Sequence, residues 1–360
     1  MVVRQLDLIA DELDRADADA LWVHPSVGLS YLTGLRPLAL ERPTALVILA
    51  GGRLRALAPL MLAPELEEID GADVCAWTDD QGPAAAIARV LDGVHRCLVD
   101  PALPSGTAFA MRAARPGLDI ALDPGIVAGL RRRKQPDEVE LMRAAAREAD
   151  AAIDWIGGLE LAGRSERALA LALQARFLER GVDPYGGYVI ATGANAALPH
   201  HVTGDTPIAP DAPLLADLGC TVSGYYSDIT RVLLPAAPEA EVIEAYEVVC
   251  AAHDAVVAGL EPGFPCAEAD RLARDVIVAA GYGERFLHRT GHGVGLEIHE
   301  EPYLRAGNHD RLQVGDVFSV EPGIYVPGRF GLRHENLVYL GPDGPKLLNA
   351  SPRTHTLRVG

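Results

Sequence analysis

Four carboxylates stand inside runs that otherwise read as β-strands, and their placement limits the fold more than any other feature of the sequence. Glu321 lies in VFSVEPGIYV and Glu335 in FGLRHENLVYL, both apolar and β-favouring. Burying an unpaired carboxylate in such a run is costly. The two are fourteen positions apart across a Pro327-Gly328 turn region, so they can face each other in a hairpin. Asp217 and Asp228 sit in ADLGCTVSGYYSDITRV, two strand-like runs joined by a tight turn at Val222-Ser223 or its neighbours. A hairpin centred there sets Asp217 directly opposite Asp228, with Cβ atoms about 5 Å apart. Like charges that close repel unless a cation lies between them. Each acid taken singly has a plainer reading, as a turn cap or as an exposed residue on a half-wet strand. Two hairpins that each present two acids weaken that reading.

A histidine-rich segment, RTGHGVGLEIHEEP, lies between the two pairs. Gly291 and Gly293 bracket His292 and let backbone or a metal approach it closely; His299 follows seven residues later. The glycine spacing imitates a dinucleotide loop, but Leu296 occupies the last glycine's place and no helix is signalled after it. HEEPY lacks the second histidine of a zinc helix, and no G-x-S-x-G elbow is present. Four carboxylates and one imidazole suit a pair of divalent cations, with manganese favoured by the oxygen-rich shell and zinc or cobalt as competitors. Two ions sharing carboxylates can hold a bridging hydroxide able to hydrolyse an amide or ester at neutral pH. The pattern predicts a dinuclear metallohydrolase.

The surroundings are consistent with this. The formal charge of −18 argues against nucleic acid or an anionic membrane as the main partner. The basic run from Arg131 to Lys134 is short, is followed at once by acids, and reads as solvated surface. Five scattered cysteines without a C-x-x-C pair fit neither a disulfide framework nor a zinc knuckle, and suit a reducing compartment. The N-terminus does not read as a signal peptide, and no apolar run approaches the ~20 residues of a membrane span. A cytoplasmic protein is expected. Residues 1–125 alternate short strand and helix signals, predicting an N-terminal α/β domain; His24 there reads as structural. A break is expected from Pro124-Gly125 to Lys134-Gln135. Residues 126–360 then form the second domain, opened by a helix over 136–156 with Val139, Met142, Ala146, Ala149, Ile153 and Ile156 on one apolar face. Long helices at 136–156 and 238–258 each lead a second helix, ending near Gly181 and Gly281, followed by strand-rich sequence. The offset of about 100 residues predicts two related halves with the site between them.

Taken together, ALPHH (197–201), D-x-G-x-x-x-x-G-Y-x-S-D-x-T-R (217–231), GHGVGLEIHE (291–300), EPG (321–323) and R-x-E-N (333–336) resemble the pita-bread metallopeptidases over roughly residues 125–345. The branch is the Xaa-Pro one, which includes Xaa-Pro dipeptidase (prolidase) and Xaa-Pro aminopeptidase; YLTGL (31–35) in the preceding domain fits it too. The resemblance implies an α+β catalytic domain with a pseudo-two-fold axis, a curved antiparallel sheet with helices outside, and a homodimer. It implies that Asp217, Asp228, His292, Glu321 and Glu335 hold two ions, with Asp228 and Glu335 bridging and Glu321 also taking the proton from the bridging water. His200 and His299 are implied to contact substrate and to stabilise the oxyanion or the leaving amine. Arg333 matches the family arginine two residues before the last ligand, and either binds substrate or pairs with a metal-site acid.

Two positions depart from the pattern: His334 stands where an aliphatic residue is usual, and Leu29 where an asparagine is. His201 beside His200 leaves open which of them reaches the site. Rival readings are a methionyl aminopeptidase, a metal-free creatinase-like hydrolase of a C–N bond, and a non-catalytic binding protein on the same fold. The filled ligand positions, the first 125 residues and Arg333 favour an exopeptidase acting on Xaa-Pro bonds. A dipeptidase is favoured over an Xaa-Pro aminopeptidase because no insertion widens a groove for longer peptides.

Overall fold

The computed structural model describes residues 1–36, 41–161 and 163–358. Contacts divide the chain into two units, Met1–Arg131 and Arg132–Gly360. In the first, Gly51 and Gly52 both take φ 79°, a left-handed turn that closes the hairpin of Ala45–Leu49 on Leu54–Pro59. These belong to a six-stranded mixed sheet. Its strand order is Ala72–Trp77, Leu54–Pro59, Ala45–Leu49, Ala20–Val23, Arg96–Val99, Asp119–Leu122. Trp22, Ile87 and Met111 are fully buried in its core.

Within the expected break, where the division between the two units also falls, the chain forms a helix, Ile126–Arg132. The Asp123 carboxylate starts it by accepting the Ile126 N–H at 2.8 Å, and Ile126, Val127 and Leu130 supply a buried face. Seven residues are too few for a clear helical period in sequence.

The second unit contains the two halves. Helix Pro136–Gly158 begins with proline in its first turn and Asp137 and Glu138 near its positive end; Glu138 accepts the Gln135 N–H at 2.8 Å. All six residues of the expected apolar face are buried. Helix Glu166–Glu179 follows, capped by Ser165, whose hydroxyl accepts the Ala168 N–H. In the other half come Ala240–Gly259 and Cys266–Ala279, so the second helices start 100 residues apart. A short bridge precedes each second helix, Ser165 to Pro207 in one half and Pro265 to Arg311 in the other. The first pair covers a sheet of Thr354–Thr356, Ile229–Leu234, Leu214–Leu218 and Val189–Thr192. The second covers Glu300–Leu304, Gly291–Gly293, Val317–Val320, Asn336–Gly341 and Gly344–Leu347.

One register differs from expectation. Thr230, not Asp228, lies opposite Asp217, because the turn is Ser223-Gly224, with φ 51° and 85°, closed by Val222 and Tyr225. Moving the turn centre by one residue slips the partner by two, which preserves the face. The other hairpin keeps its expected register: Gly323 pairs Arg333 and Val320 pairs Asn336, which puts Glu321 across from Glu335.

Candidate metal centre and cleft

Strand ends deliver the acids and His292 to one place. Asp217 lies on Leu214–Leu218, Asp228 immediately before Ile229–Leu234, and His292 on Gly291–Gly293. Glu321 directly follows Val317–Val320, and Glu335 sits in the gap between Phe330–Arg333 and Asn336–Gly341. The glycines around His292 are forced by close backbone: a Cβ on Gly291 would meet the Ser319 carbonyl at 1.9 Å, and one on Gly293 the Glu301 carbonyl at 2.2 Å. Ligand atoms of Asp228, His292 and Glu335 all lie within 4.8 Å of one another, and all three residues are buried. His292 Nε2 stands 3.3 Å from Glu321 Oε1 and 3.7 Å from Asp228 Oδ2. Its Nδ1 is 3.1 Å from the Gly293 carbonyl, which can only accept, so the proton sits on Nδ1 and Nε2 is free to coordinate.

Four carboxylates against one contacting guanidinium leave surplus negative charge. Burial, then the charges of Glu335, Asp217 and Glu321, push the Asp228 carboxyl well above its ordinary range. Burial followed by Glu321 and Asp217 does the same to Glu335, and burial lifts Glu321 to about 7. Burial, reinforced by His299, drives the His292 imidazolium well below its usual range. Carboxylates that resist ionising and an imidazole held neutral form a donor set that a divalent cation satisfies and the protein alone does not. The residues therefore fit the metal.

A cleft of about 350 Å³ opens over this set and is also lined by His200, His299, Arg333, His288 and Arg289. That volume is near the small end of ligand pockets. His299 stacks edge-on against His292, ring centres 4.1 Å apart. The ambiguity between neighbouring histidines resolves geometrically: His200 faces the cleft, while His201 Nε2 bonds Glu166 at 2.9 Å. Arg333 Nε donates to Thr230 Oγ1 at 3.0 Å and Nη1 to the Tyr325 hydroxyl at 2.7 Å, while Nη2 pairs with Asp217. Of its two expected roles, pairing with a metal-site acid is the one found in this geometry. Thr230, opposite Asp217 in the sheet, also donates to Glu335 at 2.6 Å and so joins both hairpins.

Three further residues, His288, Tyr325 and Arg289, join the site beyond those the sequence marks. His288 Nε2 lies 2.8 Å from the Tyr325 hydroxyl, extending the Arg333 network along the cleft wall. Arg289 stacks on Tyr303, 4.6 Å from the ring centre, and makes no ion pair among the described residues. Its signal was its place within HRTGH, three residues before His292. His334, the unusual residue, faces away from the acids and packs at 4.7 Å on His253. Among the described residues, no helix is long and apolar enough to cross a membrane.

Comparison with known proteins gives the family. Residues 140–342 match the profile of Metallopeptidase family M24. The chain is 32% identical to Probable dipeptidase PepE of Mycobacterium tuberculosis, covering 97% of this chain and 94% of that protein. The crystal structure of a recombinant prolidase from Thermococcus sibiricus superposes with a TM-score of 0.91 at 32% identity, covering 98% of each chain. An Xaa-Pro dipeptidase from Bacillus anthracis gives 0.90 at 27% identity, again with 98% of each chain covered. The chain thus has the pita-bread fold of the solved prolidases. With the donor set, the profile match and near full-length relatives in agreement, the chain belongs to metallopeptidase family M24.

Proposed function

We propose that this protein is a metal-dependent Xaa-Pro dipeptidase. The observation that carries the reading is that one small cleft gathers the five-residue donor set, His200, His299 and an arginine that makes no ion pair among the described residues. The near full-length likeness to proteins named prolidase and Xaa-Pro dipeptidase supports it. Asp217, Asp228, His292, Glu321 and Glu335 would hold two divalent ions, with manganese favoured by the predominance of oxygen donors. Bound ions supply Lewis-acid polarisation of the scissile carbonyl and a nucleophile at neutral pH.

The chain's own groups do the rest. Glu321, 3.3 Å from His292 Nε2 and accepting from the Ser319 hydroxyl at 3.3 Å, is placed at the donor set to take up the nucleophile's proton. His299, kept neutral by burial and by the nearby Arg289 and His200 charges, can donate one N–H to developing negative charge on the carbonyl oxygen. His200 stands exposed on the rim, where it can serve the departing proline nitrogen. Thr230 and Arg333 hold Glu335 and Asp217 in fixed orientations.

A dipeptide leaves a free carboxylate one residue beyond the scissile bond. Arg333 already pairs with Asp217, so Arg289 is the cleft cation best able to meet that carboxylate. The test is hydrolysis of Ala-Pro and Ala-Pro-Ala after chelation and after manganese is restored. No cleavage in chelator and faster cleavage of Ala-Pro in manganese is expected. Faster cleavage of Ala-Pro-Ala would make the enzyme an Xaa-Pro aminopeptidase, and activity in chelator would remove the metal from the account.

A further inference from the structure

Glu166 is a fully buried carboxylate that takes no part in the metal centre. It stands at the first position of helix Glu166–Glu179, where the helix dipole favours negative charge. Its two oxygens accept from four donors. Oε1 takes the Thr192 N–H at 2.9 Å and Asn195 Nδ2 at 3.0 Å. Oε2 takes His201 Nε2 at 2.9 Å and the Gly204 N–H at 3.3 Å. These donors bracket one stretch of chain, so a single carboxylate ties both ends of the loop between residues 192 and 204. That loop carries His200.

His200 itself is exposed, and its ring has no hydrogen-bond partner among the described residues. Its direction is therefore set by the backbone beneath it. Besides the Glu166 clamp, that backbone is seated on the strand carrying Arg333: a Cβ on Gly331 would strike the Ala196 carbonyl at 1.7 Å. The loop rests on one wall of the cleft and is tied down by a carboxylate behind it.

We propose that Glu166, acting through His201, Thr192, Asn195 and Gly204, is the positioning residue that aims His200 into the cleft. This rests on the reading of His200 as a group that acts on substrate. A glutamine at 166 would have to turn its NH₂ toward two of the four donors, breaking two contacts while keeping the shape. His201 contributes only its Nε2 hydrogen bond, which a glutamine side chain can supply and a leucine cannot.

The test compares kcat and KM for Ala-Pro, with bound manganese measured on each protein, in H200A, E166Q, H200A/E166Q, H201L and H201Q. A misaimed catalytic group costs on the order of tenfold to a hundredfold in rate. E166Q and H201L are expected to lose about that factor in kcat with metal content unchanged, and H201Q to recover most of it. In the H200A background, E166Q is expected to cost less than about twofold, because the group it aims is gone. The same loss from E166Q with and without His200 would overturn the inference, as would equal rates for H201L and H201Q. H201L and H201Q decide the matter even if E166Q fails to fold. A silent H200A would overturn the reading of His200, and the inference with it.

Discussion

At the scale of single residues, the two arginines of the cleft divide the work by what already holds them. Arg333 is buried and donates to Thr230, Tyr325 and Asp217, whereas Arg289 lies on a tyrosine face at the cleft wall. Removing Arg289 should therefore cost recognition of a dipeptide's carboxylate and leave the chemistry intact. Arg289→Ala is expected to raise KM for Ala-Pro by about tenfold to a hundredfold, the worth of a charge-assisted hydrogen bond, with kcat little changed. KM for Ala-Pro-Ala should hardly move. Steady-state kinetics on both peptides check this; a KM that rises equally for both would assign Arg289 to general binding. The ligand acids were visible in sequence because carboxylates inside strand-like runs are anomalous there. Arg289 was marked only by its closeness to His292 within HRTGH, since nothing in sequence separates a paired arginine from an unpaired one.

Among the elements, the strand that ends in Glu335 shows both what patterning reveals and what it conceals. Alternation correctly turned His334 away from the acids, but not toward His253 on helix Ala240–Gly259, because that contact crosses between distant segments. Asn336 Nδ2 bonds His253 Nε2 at 3.0 Å, so the imidazole is held in a polar but nearly waterless spot. Burial lowers the His253 pKa to about 4, with Asp254 opposing. The folded state thus refuses a proton that the unfolded chain, near 6.5, accepts. Stability from this group is complete above about pH 6.5 and drains away as pH falls toward 4, by about 2 kcal/mol at pH 5. His253→Phe should accordingly lose less stability than the parent between pH 7 and pH 5 in denaturant titrations. Parallel losses in the two proteins would mean that His253 takes up its proton as readily folded as unfolded. The hairpin register two residues on from the expected one follows the glycine: Ser223-Gly224, with φ 51° and 85°, is the two-residue turn that glycine favours, and Val222-Ser223 contains none.

On the scale of the whole molecule, the faint internal repeat is what brings the centre together. Asp217 and Asp228 come from the first helix–helix–sheet half, His292, Glu321 and Glu335 from the second. Neither half supplies more than part of the donor set, so the site exists only when the halves fold onto each other. The repeat was legible because each half needs its own pair of amphipathic helices over a sheet, and such helices keep their period. The helix Ile126–Arg132, too short to show one, was lost in the expected break. These acids, crowded and short of counter-charge, are proposed to hold two metal ions. This is tested most directly by titrating manganese into chelated protein in a calorimeter, beside Asp228→Ala. Two ions are expected to bind per chain in the parent protein and at most one, more weakly held, in the variant. No binding to the parent protein, or undiminished binding to Asp228→Ala, would contradict this.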